Sequence, residues 1–264
     1  ASVIAGQGDG MQRDYWYSVA RKPRLLEQPE AIGRIAAQRT LARLNAKRIK
    51  TGKYPVLFDA SLASGLLGSL VRAASGGALY RKSSFLIDQL GQLIFAPHIQ
   101  ITEQPHMQGG LGSAPFDAEG VQTKARTVVN QGVLEGYFLS SYTARKLGMR
   151  TTGNAGGAHN LILQSTQTQP EDDLNQMLQK LGTGLYVTEL IGQGINYVTG
   201  DYSRGAFGFW VENGEIKHAV EEITIAGNLA TMFQQIVAVG ADVLVRGAKQ
   251  SGSVLIEEMA VAGS

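Results

Sequence analysis

Histidine and cysteine, the side chains used most often for zinc binding and nucleophilic catalysis, are scarce in this sequence. The chain has 264 residues, no Cys and four His, and no two of the His lie within five residues of each other. Disulfides, thiolate zinc sites, iron–sulfur clusters and Cys nucleophiles are therefore excluded. Any metal site would need carboxylates together with distant His residues. The four His are His98, His106, His159 and His218.

Other common catalytic patterns are also absent from the sequence. There is no G-x-x-x-x-G-K-[ST] phosphate loop, no G-x-S-x-G turn and no H-E-x-x-H helix. The glycine pairs at 182–184 and 192–194 lack the third Gly and the following helix of a dinucleotide loop, so they predict turns. No nucleophile is matched in spacing to the carboxylates that remain as candidates, which are Asp117, Glu119, Glu189 and Asp201. The residues alone therefore indicate no catalytic mechanism.

Composition indicates an ordinary globular protein. Hydrophobic residues make up 44% and charged residues 17%, and the formal net charge is +2. This charge does not favour nucleic acid as a partner. No apolar run is long enough to span a bilayer, and no signal peptide is visible. We expect a soluble, cytoplasmic protein.

Charge divides the chain into two parts, which we predict as residues 1–53 and 54–264. The first part holds eleven Lys and Arg against four Asp and Glu, whereas the rest carries a net charge of −5. Between Pro29 and Lys50, apolar and basic residues alternate with helical spacing, which predicts an amphipathic basic helix. This helix either contacts an acidic partner or phosphates, or is simply a solvated face. Because the chain begins with Ala1, we expect residues 1–53 to be the remnant of a truncated N-terminal half.

The remaining sequence is dominated by predicted strands. The apolar run 54–58 predicts a strand, and Asp59 then stands at the N-cap of a helix over 60–74. Hairpin turns are predicted at Val-Asn-Gln-Gly-Val 129–133 and at Glu-Asn-Gly-Glu 212–215, because Asn and Gly accept the positive φ of tight turns. Short helices are predicted at 142–147, 170–181 and 228–239, and the pattern as a whole predicts an α+β, β-rich fold. Further strands are predicted at 85–95, 98–102, 123–129, 133–139, 161–164, 184–190, 196–199, 205–212, 215–220 and 254–259.

Several blocks of sequence, in their order and spacing, resemble the TldD/TldE (PmbA) peptidase family. The resemblance runs from about Pro55 to Gly263, and it implies the family's β-rich C-terminal domain of packed antiparallel sheets and short helices. The resemblance also implies an N-terminal half, which we expect to be missing from this chain. The blocks are Asp-Ala-Glu-Gly at 117–120, Asn-Gln-Gly-Val-Leu at 130–134, Ala-Arg-Lys-Leu-Gly at 144–148, Thr-Gly-Asn at 152–154, Gly-Asp-Tyr-Ser at 200–203, Val-Glu-Asn-Gly-Glu-Ile at 211–216 and Ile-Ala-Gly-Asn at 225–228.

The resemblance also implies that this chain lacks the family's zinc chemistry. TldD-type subunits carry H-E-x-x-x-H on the matching helix, but here those positions hold Ser64, Gly65 and Ser69. Neither a Ser hydroxyl nor a Gly can replace a zinc ligand, so no catalytic and no metal-binding residues are expected in this chain. Because a regular helix places positions five apart about 140° from each other, the family's helix must be distorted there, and Gly68 would allow the same distortion here. The longer Cys-containing segment of TldD-type chains is also missing, which identifies the TldE (PmbA) type.

These departures lead to three alternative functions. The first is a noncatalytic TldE subunit that forms a heterodimer with a zinc-bearing TldD-type subunit and helps to cleave unfolded peptides. The second is a stand-alone peptide-binding or scaffold protein that forms a homodimer. The third is an autonomous peptidase whose site is not recognisable. In the first, zinc belongs to the partner and this chain binds no cofactor.

The glycine-rich loops are the candidates for peptide contact. Gly allows another backbone to approach closely, so the stretches 152–159 and 192–203 are predicted to form a wall beside an extended peptide. The alternative, that these glycines only satisfy turn geometry, stays open. The candidate peptide-binding residues are Gly156, His159, Gly192, Gly194 and Ser203.

Overall fold

The computed structural model describes residues 1–263, apart from the side chain of Asp9. Strands dominate it, and six short to medium α-helices are interspersed among them. In chain order the elements are β1 (Ser2–Ala5), β2 (Gln12–Tyr15), α1 (Pro29–Ala42), β3 (Gly52–Phe58), α2 (Ala60–Ala73), α3 (Gly76–Tyr80), β4 (Ile99–Glu103), β5 (Arg126–Asn130), β6 (Val133–Leu134), α4 (Ser141–Lys146), β7 (Leu161–Ser165), α5 (Leu174–Leu181), β8 (Gly184–Ile191), β9 (Asp201–Glu212), β10 (Glu215–Asn228), α6 (Leu229–Gln234), β11 (Ile236–Val239), β12 (Lys249–Gln250) and β13 (Val254–Ala262), with 3-10 turns at Gly8–Gly10 and Pro23–Leu25.

The larger of two main sheets has six strands in the order β10-β9-β8-β3-β13-β11. Its neighbours are antiparallel except for the parallel pair β3 and β8. The end of β13 also pairs with the C-terminal part of β10, at residues 260–262 against residues 224–226. This pairing closes the five strands β3, β8, β9, β10 and β13 into a ring, which removes the free edges of those strands.

A second sheet of five strands has the order β12-β7-β4-β5-β6 and is antiparallel except for β12 and β7. Helix α2 is packed between the two sheets. Its buried residues join one continuous core with residues of both sheets, including Phe58 and Ile101. The buried side of α2 consists of Ala63, Leu66, Leu67, Leu70 and Ala73.

The predicted α+β, β-rich fold is confirmed. The strand–helix unit of β3 and α2 forms as expected, and Asp59 caps the helix by accepting a hydrogen bond from the backbone N–H of Ser61 at 2.9 Å. Both predicted hairpin turns form. Asn213 and Gly214 have φ values of 52° and 77°, and Gln131 and Gly132 have 46° and 80°, as type I′ turns require.

Several predicted elements were wrong. Residues 85–95 form consecutive turns and residues 196–199 a turn. Leu86, Ile94 and Phe95 are buried in the core without forming a strand ladder, whereas Leu90, Leu93 and Val198 are exposed. The predicted strand 123–129 begins only at Arg126. The predicted helix 228–239 ends at Gln234, and the chain then pairs with β13 as strand β11.

The N-terminal residues also differ from a simple basic helix. Strands β1 and β2 form a hairpin before α1, and α1 ends at Ala42 instead of continuing to Lys50. The predicted amphipathic helix would bury its apolar side chains and expose its basic ones, but Leu41 is exposed and Arg43 is buried. The ion pairs of Arg43 with Asp14 and Glu189 explain why this charged side chain is buried.

Candidate functional site

Helix α2 carries the three positions at which the resemblance places zinc ligands and a catalytic Glu. Residues Ala60–Ala73 are α-helical throughout, so the distortion expected near Gly68 is not present. In a regular helix, positions 64 and 69 point about 140° apart. Ser64 and Gly65 accordingly line an open cleft, whereas Ser69 is only 3% exposed and its hydroxyl donates to the carbonyl of Gly65 at 3.2 Å.

The cleft has a volume of about 490 Å³ and is built from four parts of the chain. One wall is the outer side of α2, and another is the segment 244–249, whose Lys249 comes close to Gly68 of α2. The end of β8 and the residues that follow β2 complete it. The polar and aromatic residues that line it are Asp14, Tyr15, Trp16, Tyr17, Arg39, Ser61, Ser64, Thr188, Glu189, Arg246 and Lys249.

Both carboxylates that line the cleft are bound to arginines. Arg39 Nε lies 3.2 Å from Asp14 Oδ2, and Arg43 Nη2 lies 2.5 Å from Glu189 Oε2. Arg43 also stacks on the ring of Phe207, with its guanidinium carbon 3.8 Å from the ring centroid. The cleft therefore has no uncommitted carboxylate that could serve as a general base.

Zinc does not fit the residues of this cleft. The side of α2 that faces it presents Ser64, Gly65 and Gly68, which offer no zinc donor of the usual classes. Within residues 1–263, no three His, Cys, Asp or Glu side chains are gathered closely enough to hold a metal ion. No step of metal-assisted hydrolysis can be assigned to these residues.

The four His side chains have other partners. His98 lies between the Ser165 hydroxyl and the Ile236 carbonyl, both at 2.8 Å, and His106 contacts the Thr123 hydroxyl at 3.1 Å. His218 lies on β10, where its ring contacts the carbonyl of Ala219. None of these three lines the cleft in the described structure.

His159, a predicted peptide-binding residue, belongs to a buried polar cluster around Glu103. This carboxylate is 1% exposed and accepts hydrogen bonds from Arg126, from the side chain of Asn154 and from the backbone of His159, each at 2.7 Å. The His159 ring nitrogen Nδ1 is 3.3 Å from the same carboxylate. The cluster holds the glycine-rich loop 152–160 against β4.

Of the remaining peptide-binding candidates, Gly156, Gly192 and Gly194 lie in loops and Ser203 lies on β9, all outside the cleft. Gly156 and Gly192 have φ values of 97° and 82°, which turns require. At Gly194 a Cβ atom would lie 1.9 Å from the carbonyl oxygen of Ser203, because these two segments pair with each other. The structure thus gives the glycines local roles. Their part in peptide binding, and that of Ser203, stays a prediction.

Four side chains that define the cleft could not be identified from the sequence pattern, namely Trp16, Tyr17, Arg246 and Lys249. They come from opposite ends of the chain, and no motif joins them. Only the fold brings them together.

Across the described residues, no helix is both long enough and apolar enough to cross a membrane.

Comparison with protein families divides the chain into two matched regions. Residues 51–263 match the C-terminal domain of the PmbA/TldA metallopeptidases, and residues 1–44 match the central domain of the same family. Among curated proteins, metalloprotease PmbA of Escherichia coli O157:H7 is 51% identical over 99% of this chain. A metalloprotease PmbA homologue of Haemophilus influenzae is 45% identical over 100% of it. The chain spans 57% and 58% of the lengths of these two relatives.

Solved structures share the fold. A protein of Bacteroides thetaiotaomicron, named as a candidate modulator of DNA gyrase, superposes with a TM-score of 0.92 at 31% identity, over 100% of this chain and 59% of that one. TldE of Thermococcus kodakarensis superposes with a TM-score of 0.82 at 23% identity, over 98% of this chain and 61% of that one, which supports the fold alone. Taken with the two matched domains and the sequence identities, these likenesses show that the chain belongs to the PmbA/TldD metallopeptidase family.

Proposed function

We propose that this chain is part of a noncatalytic TldE-type subunit, which pairs with a zinc-bearing TldD-type subunit and helps to degrade or process unfolded peptides. Its cytoplasmic location is part of the same proposal. The relatives are named metalloproteases. The observation that carries the noncatalytic role is on α2, where the residues that face the cleft contain no zinc donor and Ser69 points away from it.

The fold supports a role as a partner. A subunit that keeps its family's architecture but lacks the zinc ligands still has the surface by which related subunits could pair. Dimers are the commonest assembly of similar subunits. The catalytic zinc of the pair, and the water that it would activate, then belong to the other subunit. This chain supplies binding surface and helps to enclose the peptide.

Peptidase assays of this chain, of the TldD-type subunit and of their mixture test the proposal. We expect cleavage of an unfolded peptide only by the mixture, together with a heterodimer in light scattering. After dialysis, this chain alone should contain no stoichiometric zinc and gain no thermal stability from added zinc.

Each other outcome supports a different function. Cleavage by this chain alone, with about one equivalent of zinc, would contradict the proposal and indicate an autonomous peptidase. A homodimer that binds peptide but neither joins the TldD-type subunit nor changes its activity would also contradict it, and would indicate a stand-alone binding protein.

A further inference from the structure

Two cations in the cleft have no carboxylate partner among the described residues. No oxygen of Asp, Glu or a described chain terminus lies within 4.0 Å of a side-chain nitrogen of Arg246 or Lys249. Since Asp14 and Glu189 are already bound to Arg39 and Arg43, they do not neutralise this charge. The segment 244–249 therefore brings two cations to the cleft, neither of them in an ion pair, although the charge of Glu27 acts on Arg246 from beyond ion-pair distance.

Arg246 is held in a defined position by aromatic rings. Its guanidinium carbon lies 3.7 Å from the ring centroid of Trp16 and 4.3 Å from that of Tyr17. Its Nε and Nη2 atoms are buried against these rings without a hydrogen-bond partner, and burial lowers the pKa of the group. Nη1 is neither among these buried nitrogens nor bonded to a described residue, so it is the atom that is left for a ligand in the cleft.

The wall formed by α2 leaves room for the main chain of a bound peptide. A Cβ atom at Gly65 would meet no atom within 4 Å, and one at Gly68 would only touch the side-chain stem of Lys249 at 3.9 Å. The volume of about 490 Å³ lies within the range of small-ligand sites and exceeds what a simple inorganic anion fills. Its lining includes both polar residues, among them Ser61, Ser64 and Thr188, and apolar ones, Leu62, Leu190 and Leu244, which suits a peptide with mixed side chains.

We propose that this cleft binds an extended peptide through a carboxylate, which Arg246 and Lys249 hold while the peptide chain passes Gly65 on α2. The carboxylate is either the peptide's C-terminus or an acidic side chain. The peptide ligand rests on the function proposed above, but binding in this cleft requires neither zinc nor the TldD-type subunit.

Fluorescence anisotropy with three dansyl-labelled hexapeptides tests this inference. The first has a free C-terminal carboxylate and no acidic side chain, the second is its C-terminal amide, and the third is an amide with one internal Glu. We expect at least one of the two carboxylate peptides to bind this chain about tenfold more tightly than the neutral amide, as a hydrogen bond to a charged group provides. Added salt should reduce that difference. The peptide that gains the affinity identifies the source of the carboxylate.

Matched variants locate the binding. Lys249→Met should lower the affinity for the carboxylate peptide towards that of the amide, and Lys249→Arg should restore it. Gly65→Met fills open space at the cleft wall and should weaken all three peptides. Lys124→Met removes an exposed cation that is in no described ion pair, and it should change nothing. Thermal melting of each variant shows that it is folded.

Equal affinity for the three peptides would overturn the inference, as would unchanged binding in folded Lys249→Met and Gly65→Met variants. These results are separable from the test of the proposed function. If the chain fails to join a TldD-type subunit, the proposed function fails while cleft binding is still measured directly. If binding shows no preference for carboxylates, the inference fails while subunit pairing is unaffected.

Discussion

Asp117 lies in the first of the sequence blocks that mark the family, and its contacts are structural. The side chain is 4% exposed and accepts hydrogen bonds from the backbone N–H groups of Glu119, Val121 and Ala155 at 2.9 to 3.0 Å. Burial by itself would raise the pKa of this carboxyl, but the three N–H donors outweigh it and, with a smaller effect of His159, hold the pKa below its ordinary value. Asp117 therefore joins two loops.

The lowered pKa predicts how Asp117 contributes to stability at different pH. Because the folded-state pKa is below the unfolded-state value of about 3.9, the contribution is complete above that value and is lost as pH falls through the folded-state pKa. Asp117→Asn puts an amide N–H₂ where an acceptor is needed, so we expect it to lower the free energy of unfolding by about 1–3 kcal/mol at pH 7. The difference in the free energy of unfolding between the wild-type chain and Asp117→Asn should be smaller at pH 3.

Urea unfolding of the wild-type chain and of Asp117→Asn, at pH 7 and at pH 3, measures this effect. Glu222→Gln is the control, since Glu222 is exposed and pairs only with exposed Arg48, and it should change stability by less than about 0.5 kcal/mol. A wild-type stability for Asp117→Asn, or a difference that grows at low pH, would show that the charge of Asp117 does not hold the loops.

Among the elements, those specified by local chemistry were predictable from the sequence. The strand β3, the capping residue Asp59 and the turn at Asn213 and Gly214 each follow from residues close in sequence, and all are confirmed. The segment 85–95 was not predictable. Its Leu86, Ile94 and Phe95 are buried as in a strand, but they pack into the core from turns. The spacing of apolar residues alone does not distinguish a buried strand from buried turns.

The cleft was only partly predictable for a related reason. The sequence placed the replaced zinc positions on α2, because a family pattern marks them. Trp16 and Arg246 also line it, and their stacking depends on packing between the two ends of the chain. The regular geometry of α2 at Gly68 was also unexpected.

That regular geometry predicts the result of restoring the family's zinc motif. Ser64→His, Gly65→Glu and Ser69→His together should not produce a zinc site, because positions 64 and 69 lie about 140° apart and residue 69 faces the core. Overpacking at position 69 should also destabilise the chain by about 1–3 kcal/mol. Metal analysis after dialysis should find no stoichiometric zinc.

Ser64→His with Gly68→His provides the matched control. These two positions are four apart and both line the cleft, which is the spacing at which two His on a helix share a metal. This variant should gain thermal stability from added zinc. One equivalent of bound zinc in the triple variant would mean that α2 distorts when ligands are present.

At the scale of the whole molecule, Arg43 joins the N-terminal hairpin and α1 to the large sheet. It is 8% exposed, and its guanidinium contacts Glu189, Asp14 and the ring of Phe207. The chain that follows is held against β10 by a hydrogen bond from the N–H of Lys47 to the carbonyl of Ala219 at 2.8 Å. Because the cleft uses residues from both sides of this contact, its shape depends on Arg43.

Arg43→Ala should therefore loosen residues 1–44 from the rest of the chain. Removing one partner of a buried ion pair costs about 3–5 kcal/mol, and we expect the lower end because Glu189 is partly exposed. Trypsin should then cut after Lys47, Arg48 or Lys50 more than about tenfold faster, since cleavage follows the population of the open form. Lys217→Ala removes an exposed ion pair with Glu215 and should leave the cleavage rate unchanged. Mass spectrometry of the first fragments locates the cut, and an unchanged rate at 47–50 in Arg43→Ala would show that another contact holds the two parts together.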